Sequence, residues 1–321
     1  MKFGVVGTSF IMDTILDNMY KNSNMRVHGI YSKSPSKAKI LMDKFNIPNL
    51  YDNFGKMCSC NEINWIYICS PNSVHYEQAK DALLCGKNVL LEKPSVVNPE
   101  ELEELKEIAV SKHLYLFEAI IPMFHPNYSI IKELLPQIGS IKLGIGTFLQ
   151  YSSRYEALLN GDVPNVFNPE FAGGALMDLN LYNIYFFMGL FGMPDKVTYK
   201  PEIYSNGTDT NGIATLFYNN LRCECIAAKD ANGDNSAQII GDKGYIKVTP
   251  CASNVKRVEL NIKGKDPVIY EVDKNPWSYE MSGIEDIVNR NDYDECLRRL
   301  DLAINVSKAL KMARADASLP F

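Results

Sequence analysis

The 321-residue sequence has no excess of positive charge and no long apolar run. Lys and Arg number 33 against 38 Asp and Glu, which gives a formal net charge of −5. Proteins that bind nucleic acid normally carry a basic face, so this balance argues against that class of partner. No stretch reaches the roughly 18–20 apolar residues that span a bilayer, and the opening MKFGVVG lacks the longer apolar run of a signal peptide. We therefore expect neither nucleic acid nor a membrane as partner.

The sequence also lacks the pattern of a metal centre. Its eight cysteines include two Cys-x-Cys pairs, Cys58/Cys60 and Cys223/Cys225, and its four histidines lie away from both pairs. Structural zinc normally uses repeated Cys-x-x-Cys with matching histidines. Scattered cysteines without an export signal are instead typical of reduced, mostly buried thiols. We expect no metal, and we expect a cytoplasmic protein.

The first 120 residues alternate short apolar strands with amphipathic helices. The predicted strands are 2–7, 25–31, 64–69, 87–91 and 114–118, and the helices between them are 11–21, 35–45, 74–85 and 99–112. The strands are continuous apolar runs, which is typical of a parallel sheet covered by helices on both faces. This pattern predicts an α/β domain with a Rossmann-type doubly wound parallel sheet.

The pattern changes after residue 120, where turn signals join longer strands. Strands predominate between residues 140 and 272, and helices are predicted at 126–138, 174–190, 277–290 and 293–314. This half is predicted to be an α+β domain with a mostly antiparallel open sheet. Such a sheet leaves a broad face for self-association, so we expect a homodimer or homotetramer.

The length of the chain predicts the number of domains. A chain of 321 residues exceeds what one hydrophobic core usually serves, so two domains are expected. We predict one domain at residues 1–120 and a second at residues 121–321. The active site is expected between them.

Residues 7–12 (GTSFIM) follow the first strand and match the dinucleotide fingerprint G-x-G-x-x-G/A only in part. Gly7 suits the tight turn, whereas Ser9 and Met12 replace the second and third small residues. Taken alone, the six residues fit a plain strand-to-helix turn equally well. Their place at the start of a doubly wound pattern favours a phosphate site at the helix N-terminus. The residues expected to contact the cofactor there are Gly7, Thr8, Ser9, Phe10 and Ile11.

The end of the second strand predicts which dinucleotide binds. An NAD site usually has Asp or Glu at this place for the ribose hydroxyls, whereas residues 31–34 read YSKS. A hydroxyl and an ammonium suit the additional 2′-phosphate of NADP. We therefore expect Ser32 and Lys33 to bind NADP in preference to NAD. The alternative is a polar helix N-terminus with a solvated lysine.

Later segments resemble motifs of a known family. Residues 69–75 (CSPNSVH) and 86–94 (GKNVLLEKP) are similar to the P-N-x-x-H and G-K-x-V-x-x-E-K-P motifs of the Gfo/Idh/MocA family of NAD(P)-dependent oxidoreductases. The match continues at residues 118–119 (EA) and 172–182 (AGGALMDLNLY), which resemble the family's G-G-A-L-x-D-x-G-x-Y. The resemblance implies a cofactor-side position for Ser70, Pro71, Asn72, His75, Glu92 and Lys93.

The same resemblance implies an enzymatic activity. The family transfers a hydride reversibly between C4 of a nicotinamide and a carbon that bears a hydroxyl. That carbon most often belongs to a sugar, a polyol or a cyclic diol. The expected partner is therefore a small-molecule alcohol or carbonyl substrate. The resemblance also implies an NAD(P)-binding domain at residues 1–120 and a substrate-binding and oligomerisation domain at residues 121–321.

Three residues are candidates for the chemistry. Lys93 follows a parallel strand, at the end of the sheet where ligands bind, and its ammonium can polarise a carbonyl or stabilise an alkoxide. Asp178 and Tyr182 are four residues apart and share a face of a helix. A tyrosine near a lysine can supply the proton that the alkoxide needs. The family's helix carries a proton-transfer group and a substrate-contacting Asp, and we assign these roles to Tyr182 and Asp178.

Each candidate has a structural alternative. Lys93 can be a surface lysine in a loop, and Tyr182 can merely pack with the aromatic run that follows it. Four positions depart from the family pattern, namely Ser9, Met12, Met123 and Asn180. These departures raise the alternative of a non-catalytic NAD(P)-binding sensor of the same fold. A sensor has no need of a proton donor, so the intact set of Lys93, Asp178 and Tyr182 favours the enzyme.

Overall fold

The apolar strands of the first 120 residues form one parallel sheet. The computed structural model describes residues 1–9 and 11–319. The strands of this sheet are β1 (Lys2–Val6), β2 (Arg26–Tyr31), β3 (Asn49–Tyr51), β4 (Trp65–Ile68), β5 (Asn88–Glu92) and β6 (Leu116–Ala119). Their order is β3-β2-β1-β4-β5-β6, and every pair is parallel. The order reverses between β1 and β4, which is where such sheets bind ligands at the carboxyl ends of the strands. The predicted doubly wound sheet is confirmed.

Helices alternate with these strands: α1 (Met12–Asn22), α2 (Pro35–Phe45), α3 (Phe54–Cys58), α4 (His75–Leu84) and α5 (Pro99–Lys112). Proline opens α2 and α5, as predicted, and the capping box of Asn98 with Glu101 adds to the start of α5. The prediction lacks β3 and α3. A strand of three residues is too short to show a hydrophobic period.

The second half of the chain builds a larger sheet. Its strands are β7 (Ile141–Leu149), β8 (Lys196–Ile203), β9 (Asp209–Phe217), β10 (Arg222–Ala228), β11 (Ser236–Gly241), β12 (Gly244–Cys251), β13 (Asn254–Ile262) and β14 (Val268–Glu271). The order is β14-β13-β12-β11-β7-β10-β9-β8. Only β7 and β10 pair in parallel among the described strands of this sheet. The predicted mostly antiparallel sheet is confirmed.

One face of this sheet is covered by an apolar helix. The helices of this half are α6 (Pro126–Leu134), α7 (Tyr155–Leu159) and α8 (Leu181–Phe191). A single π turn at Leu176–Asn180 leads directly into α8, which packs on β7 and β10. The aromatic run Tyr185, Phe186 and Phe187 is buried there. Its burial explains why the sequence of this helix is apolar nearly all round.

The last two helices are α9 (Pro276–Asn289) and α10 (Tyr293–Ala317). Both lie near their predicted positions. The chain divides into two compact units, of which the first contains residues 1–120 together with 277–304, and the second contains the remainder. Glu285 of α9 accepts a hydrogen bond from the backbone N–H of Asn24 (3.0 Å), within the first unit. The assignment of separate functions to residues 1–120 and 121–321 stays a prediction. Across residues 1–9 and 11–319, no helix is both long and apolar enough to cross a membrane.

Candidate active site

The turn between β1 and α1 is shaped by Gly7. Its φ is +98°, and a Cβ there would lie 2.4 Å from the carbonyl oxygen of Cys69, at the end of β4. Only glycine meets both conditions without strain. Met12, in the third small-residue position of the fingerprint, is completely buried and packs as a core residue. The departure at Met12 is thus accommodated in the core. Phe10, also expected to contact the cofactor, lies outside the described residues.

Three hydroxyl groups come together where β1, β2 and β4 end. Thr8 Oγ1 lies 3.1 Å from Ser32 Oγ, and Ser9 Oγ lies 3.2 Å from Cys69 Sγ. Burial raises the pKa of the Cys69 thiol to about 12, so it remains a neutral partner. Ser9 therefore has a defined contact in place of the glycine of the fingerprint.

This end of the sheet fits a dinucleotide. Ile11 precedes α1 and makes no side-chain cap hydrogen bond, and the backbone N–H of Met12 donates to the carbonyl oxygen of Ser9 (3.1 Å). Phosphate is the group that such a helix start binds. Lys33 is exposed beside Ser32, and Ser32 Oγ also accepts a hydrogen bond from the backbone N–H of Ser34 (3.0 Å). A hydroxyl and an ammonium thus lie where the 2′-position of a ribose is expected.

His75 joins the two motif segments. It is completely buried, with Nε2 2.9 Å from the carbonyl oxygen of Ser70 and Nδ1 3.1 Å from that of Pro94. Burial lowers the pKa of His75, which keeps the ring neutral. Because a neutral imidazole carries one N–H, it donates to one of the two carbonyls at a time. His75 thus braces the loops that carry Ser70 and Lys93. Beside it, Pro71 and Asn72 lead into the single turn Asn72–Val74 before α4.

The loop after β5 is held by carboxylates. Glu92 accepts hydrogen bonds from the buried Tyr67 hydroxyl and from the backbone N–H of Lys93 (3.2 Å). Glu118 at the end of β6 accepts from the backbone N–H of Ser95 (2.8 Å). These bonds fix the backbone on both sides of Lys93, whose side chain is half-buried.

A third carboxyl group in this unit had no signal in the sequence. Glu280 of α9 is buried, and its Oε1 makes no hydrogen bond within the described residues. Burial raises the pKa of Glu280 well above its usual range, and the charges of Glu92 and Glu118 add to the effect. Its environment therefore favours the protonated form of this carboxyl group.

In the second unit, Asp209 anchors the start of the helix that carries Asp178 and Tyr182. Its Oδ2 accepts hydrogen bonds from the backbone N–H of Leu176 (2.7 Å) and from the Tyr199 hydroxyl (2.6 Å). Gly174, with φ +130°, lies against the same carboxyl group. Burial raises the pKa of Asp209, while its hydrogen bonds and the charge of Lys229 lower it. The Gly-Gly motif therefore has a packing reason that the sequence could not show.

Asp178 and Tyr182 stay accessible on a helix whose next residues form the core. Asp178 retains 31% of its side-chain exposure and forms an ion pair with Lys229, which retains 4%. Tyr182 is half-buried, with its ring 5.9 Å from that of Phe148. Asn180, where the family usually has glycine, is buried and donates to the carbonyl oxygen of Cys225 (2.9 Å). Its side chain secures the π turn to β10.

Sequence reasoning missed Lys229. It follows the last residue of β10, and its ammonium lies 5.3 Å from the centre of the Phe167 ring. A charged residue directly after an apolar strand is the only signal it leaves in the sequence. Such a residue is usually a solvated strand end.

Comparison with known proteins identifies both halves. Residues 1–119 match the model of an oxidoreductase family with an NAD-binding Rossmann fold, and residues 135–247 match the GFO/IDH/MocA C-terminal domain. The chain is 29% identical to a scyllo-inositol 2-dehydrogenase (NADP(+)) of Bacillus subtilis over 323 residues, covering 100% of this chain and 98% of the relative. It is 30% identical over 228 residues to a trans-1,2-dihydrobenzene-1,2-diol dehydrogenase of Xenopus tropicalis, covering 70% of this chain and 67% of the relative.

Solved structures agree on the fold. A 3-ketoreductase from Actinomadura kijaniata, in complex with TDP-benzene and NADP, superimposes with a TM-score of 0.84 at 17% identity and covers 98% of this chain and 97% of its own. An aldose-aldose oxidoreductase from Caulobacter crescentus superimposes with the same TM-score of 0.84 at 17% identity, covering 99% and 97%.

Proposed function

Because the chain belongs to the Gfo/Idh/MocA family of NAD(P)-dependent oxidoreductases, we propose that it is an NADP-dependent dehydrogenase of polyols, sugars or cyclic diols. The observation that carries the proposal is the accessibility of two side chains on the helix that begins at Leu176. Asp178 and Tyr182 stay accessible on it while the aromatic residues that follow are buried. A tyrosine kept only for packing would be expected among those buried residues.

The cofactor site is proposed at the carboxyl ends of β1, β2, β4 and β5. The start of α1, with Thr8 and Ser9, would hold the pyrophosphate, and Ser32 with Lys33 would hold the 2′-phosphate of NADP. The loops braced by His75 would supply the contacts of Ser70, Asn72 and Glu92. When bound, the nicotinamide supplies or accepts the hydride.

Three side chains are proposed to act on the substrate. Lys93 would stabilise the negative charge that develops on the substrate oxygen during reduction, because an ammonium is worth most where charge appears in the transition state. Tyr182 would donate the proton to that oxygen, and would take it back in the oxidation. Asp178 would accept a hydrogen bond from a neighbouring substrate hydroxyl and so orient the reacting carbon.

The proposed substrate class follows from the role of Asp178 as a hydrogen-bond acceptor. A carboxylate that orients a second hydroxyl suits compounds with adjacent hydroxyl groups. Relatives whose names specify an inositol and a dihydrodiol belong to that class. Two of the four departures that motivate the sensor alternative, Met12 and Asn180, are core residues with defined packing, and the named relatives are dehydrogenases, which favours the enzyme.

Location and assembly are proposed on separate grounds. All eight cysteines lie in the described part of the chain, and each is a free thiol, which agrees with a reducing cytoplasm. Exposed apolar residues such as Ile213 and Tyr245 lie on strands of the second sheet, which supports self-association of its open face. Analytical ultracentrifugation tests this assembly: a dimer or tetramer is expected, and a monomer at micromolar concentration contradicts it.

The experiment that tests the function starts with calorimetric titration of NADPH and NADH. Tighter binding of NADPH is expected. Purified protein is then assayed with NADP for oxidation of inositols, aldoses and cyclic trans-diols, followed by absorbance of the reduced nicotinamide. Turnover of at least one polyhydroxyl compound is expected. Absence of cofactor binding, or binding without turnover of any of these compounds, contradicts the proposal.

A further inference from the structure

Lys229 is a charged residue in an almost closed environment. Its side chain retains 4% exposure, and it forms an ion pair with Oδ2 of Asp178. A buried ammonium is costly unless it is paired. Its ammonium also lies 5.3 Å from the centre of the completely buried Phe167 ring, and its charge acts on the carboxyl group of Asp209. The ion pair of Lys229 is made with Asp178.

The backbone of Lys229 is fixed on both sides. Its N–H donates to the carbonyl oxygen of Thr210 (2.7 Å), and its carbonyl oxygen accepts from the N–H of Ser152 (2.8 Å). The side chain therefore starts from a defined point in the sheet, and its burial restricts the rotamers open to it. An ammonium held in this way restrains the position of the carboxylate oxygen that it contacts.

The helix of Asp178 has a second anchor at its start. Asp209 binds the backbone N–H of Leu176, two residues before Asp178. The helix start and the Asp178 side chain thus have separate anchors in the same sheet, namely Asp209 on β9 and Lys229 after β10. Removal of Lys229 would release the carboxylate while the helix keeps its own anchor.

We propose that Lys229 is a positioning residue of the dehydrogenase, which fixes Asp178 as an ionised acceptor for a substrate hydroxyl. The inference rests on the proposed function, because it presumes that Asp178 contacts the substrate. Lys229 itself acts through Asp178. Loss of orientation at a substrate-contacting group costs about 10²-fold in kcat/KM, and most of this loss is expected in KM.

The test compares Lys229→Met, Lys229→Arg and a surface control. Lys200→Met is the control, because Lys200 pairs with Asp316 in the same unit but keeps 79% side-chain exposure. Lys229→Met is expected to raise KM for the polyol about 10²-fold while the NADPH dissociation constant stays within twofold. Lys229→Arg is expected to recover part of the loss, and Lys200→Met is expected to match the native protein. If folded Lys229→Met has native kinetics, the inference is wrong.

A double-mutant cycle shows whether Lys229 acts through Asp178. On an Asp178→Asn background, Lys229→Met is expected to cost little more, because the group that it orients is already gone. Independent, multiplying losses would overturn the inference. If Lys229→Met does not fold, Lys229→Arg carries the same cycle.

A spectroscopic arm does not depend on turnover. The carbon-13 resonance of the Asp178 carboxyl group, assigned by its loss in Asp178→Asn, is expected to shift in Lys229→Met and to stay in place in Lys200→Met. An unshifted resonance overturns the positioning role. If the native protein oxidises no alcohol but the Asp178 resonance still shifts in Lys229→Met, the proposed function is contradicted and the pairing is not. The two failures are therefore distinguishable.

Discussion

The carboxylate of Asp209 occupies the space that a side chain on Gly174 would need. A Cβ on Gly174 would come within 1.9 Å of Asp209 Oδ1, and the glycine has φ +130°. The buried carboxylate cannot move away without giving up the N–H of Leu176 and the hydroxyl of Tyr199. The glycine at position 174 and the anchored helix start therefore both depend on the position of the Asp209 carboxyl group.

Gly174→Ala is therefore expected to destabilise the protein by about 3 kcal/mol, through backbone strain and the collision with Asp209. Gly161→Ala is the matched control, since Gly161 also has a positive φ (+91°) but has no atom within 4 Å of its Cβ position. The control should lose only about 1 kcal/mol. Urea denaturation followed by circular dichroism measures both. Equal losses would show that the contact with Asp209 carries no cost.

Glu280→Gln is expected to change how stability depends on pH. Burial and the charges of Glu92 and Glu118 raise the pKa of Glu280 in the folded protein. The folded state therefore binds a proton that the unfolded state releases above about pH 4.5. Stability from this group is full below the unfolded value and is lost as pH rises toward the folded one.

The variant removes that loss, so its advantage over the native protein should grow as the pH rises above about 4.5. Urea midpoints between pH 5 and 8 measure the difference. Glu285→Gln on the same helix is the control, because Glu285 is only half-buried and accepts a hydrogen bond from the backbone N–H of Asn24. A constant difference between native protein and Glu280→Gln across this range would mean that Glu280 is ionised in the folded state.

Lys33→Asp tests the preference for NADP. A carboxylate in place of the ammonium repels a 2′-phosphate and suits free ribose hydroxyls, so NADPH should bind about 10–100-fold more weakly, and NADH should be little affected. Lys39→Asp is the control, because Lys39 pairs with Asp43 on the exposed face of α2. Calorimetric titration gives both dissociation constants. Equal weakening of NADPH and NADH by Lys33→Asp would count against a 2′-phosphate site.

Lys93→Met should separate binding from chemistry. Loss of the ammonium removes stabilisation of the developing alkoxide, and kcat is expected to fall about 10²-fold or more. The loop itself should persist, because Glu92 and Glu118 accept hydrogen bonds from the backbone N–H groups of Lys93 and Ser95. NADPH affinity should therefore change little. Turnover at the native rate would remove Lys93 from the mechanism.

Local signals predict much of the first sheet and its helices. Pro99 and the acidic residues after it mark the start of α5, and structure places it there. The continuous apolar run of β4 indicates burial on both faces, and all four of its residues are buried. Each of these signals depends on residues that are neighbours in sequence, which is why they can be read without the fold.

The anchors of the candidate site depend on distant residues. Asp209 binds the N–H of a residue 33 positions away, and Lys229 pairs with a partner 51 positions away. An isolated Asp at the start of a strand or Lys at the end of one leaves no periodic pattern. The motif therefore predicts Asp178 and Tyr182. Asp209 and Lys229, which hold their helix and the Asp178 carboxylate, become visible only once the sheet has brought them close.

Residues 277–304 complete the first unit, although nearly half of the chain separates them from residue 120. During synthesis, a ribosome releases residues 1–120 long before it makes Met281 and Ile284, which are buried in the finished protein. The first unit therefore exposes apolar surface until nearly all of the chain has been synthesised. Nonsense truncations between codons 277 and 304 should consequently yield an unfinished first unit, an expected substrate of chaperones and proteases.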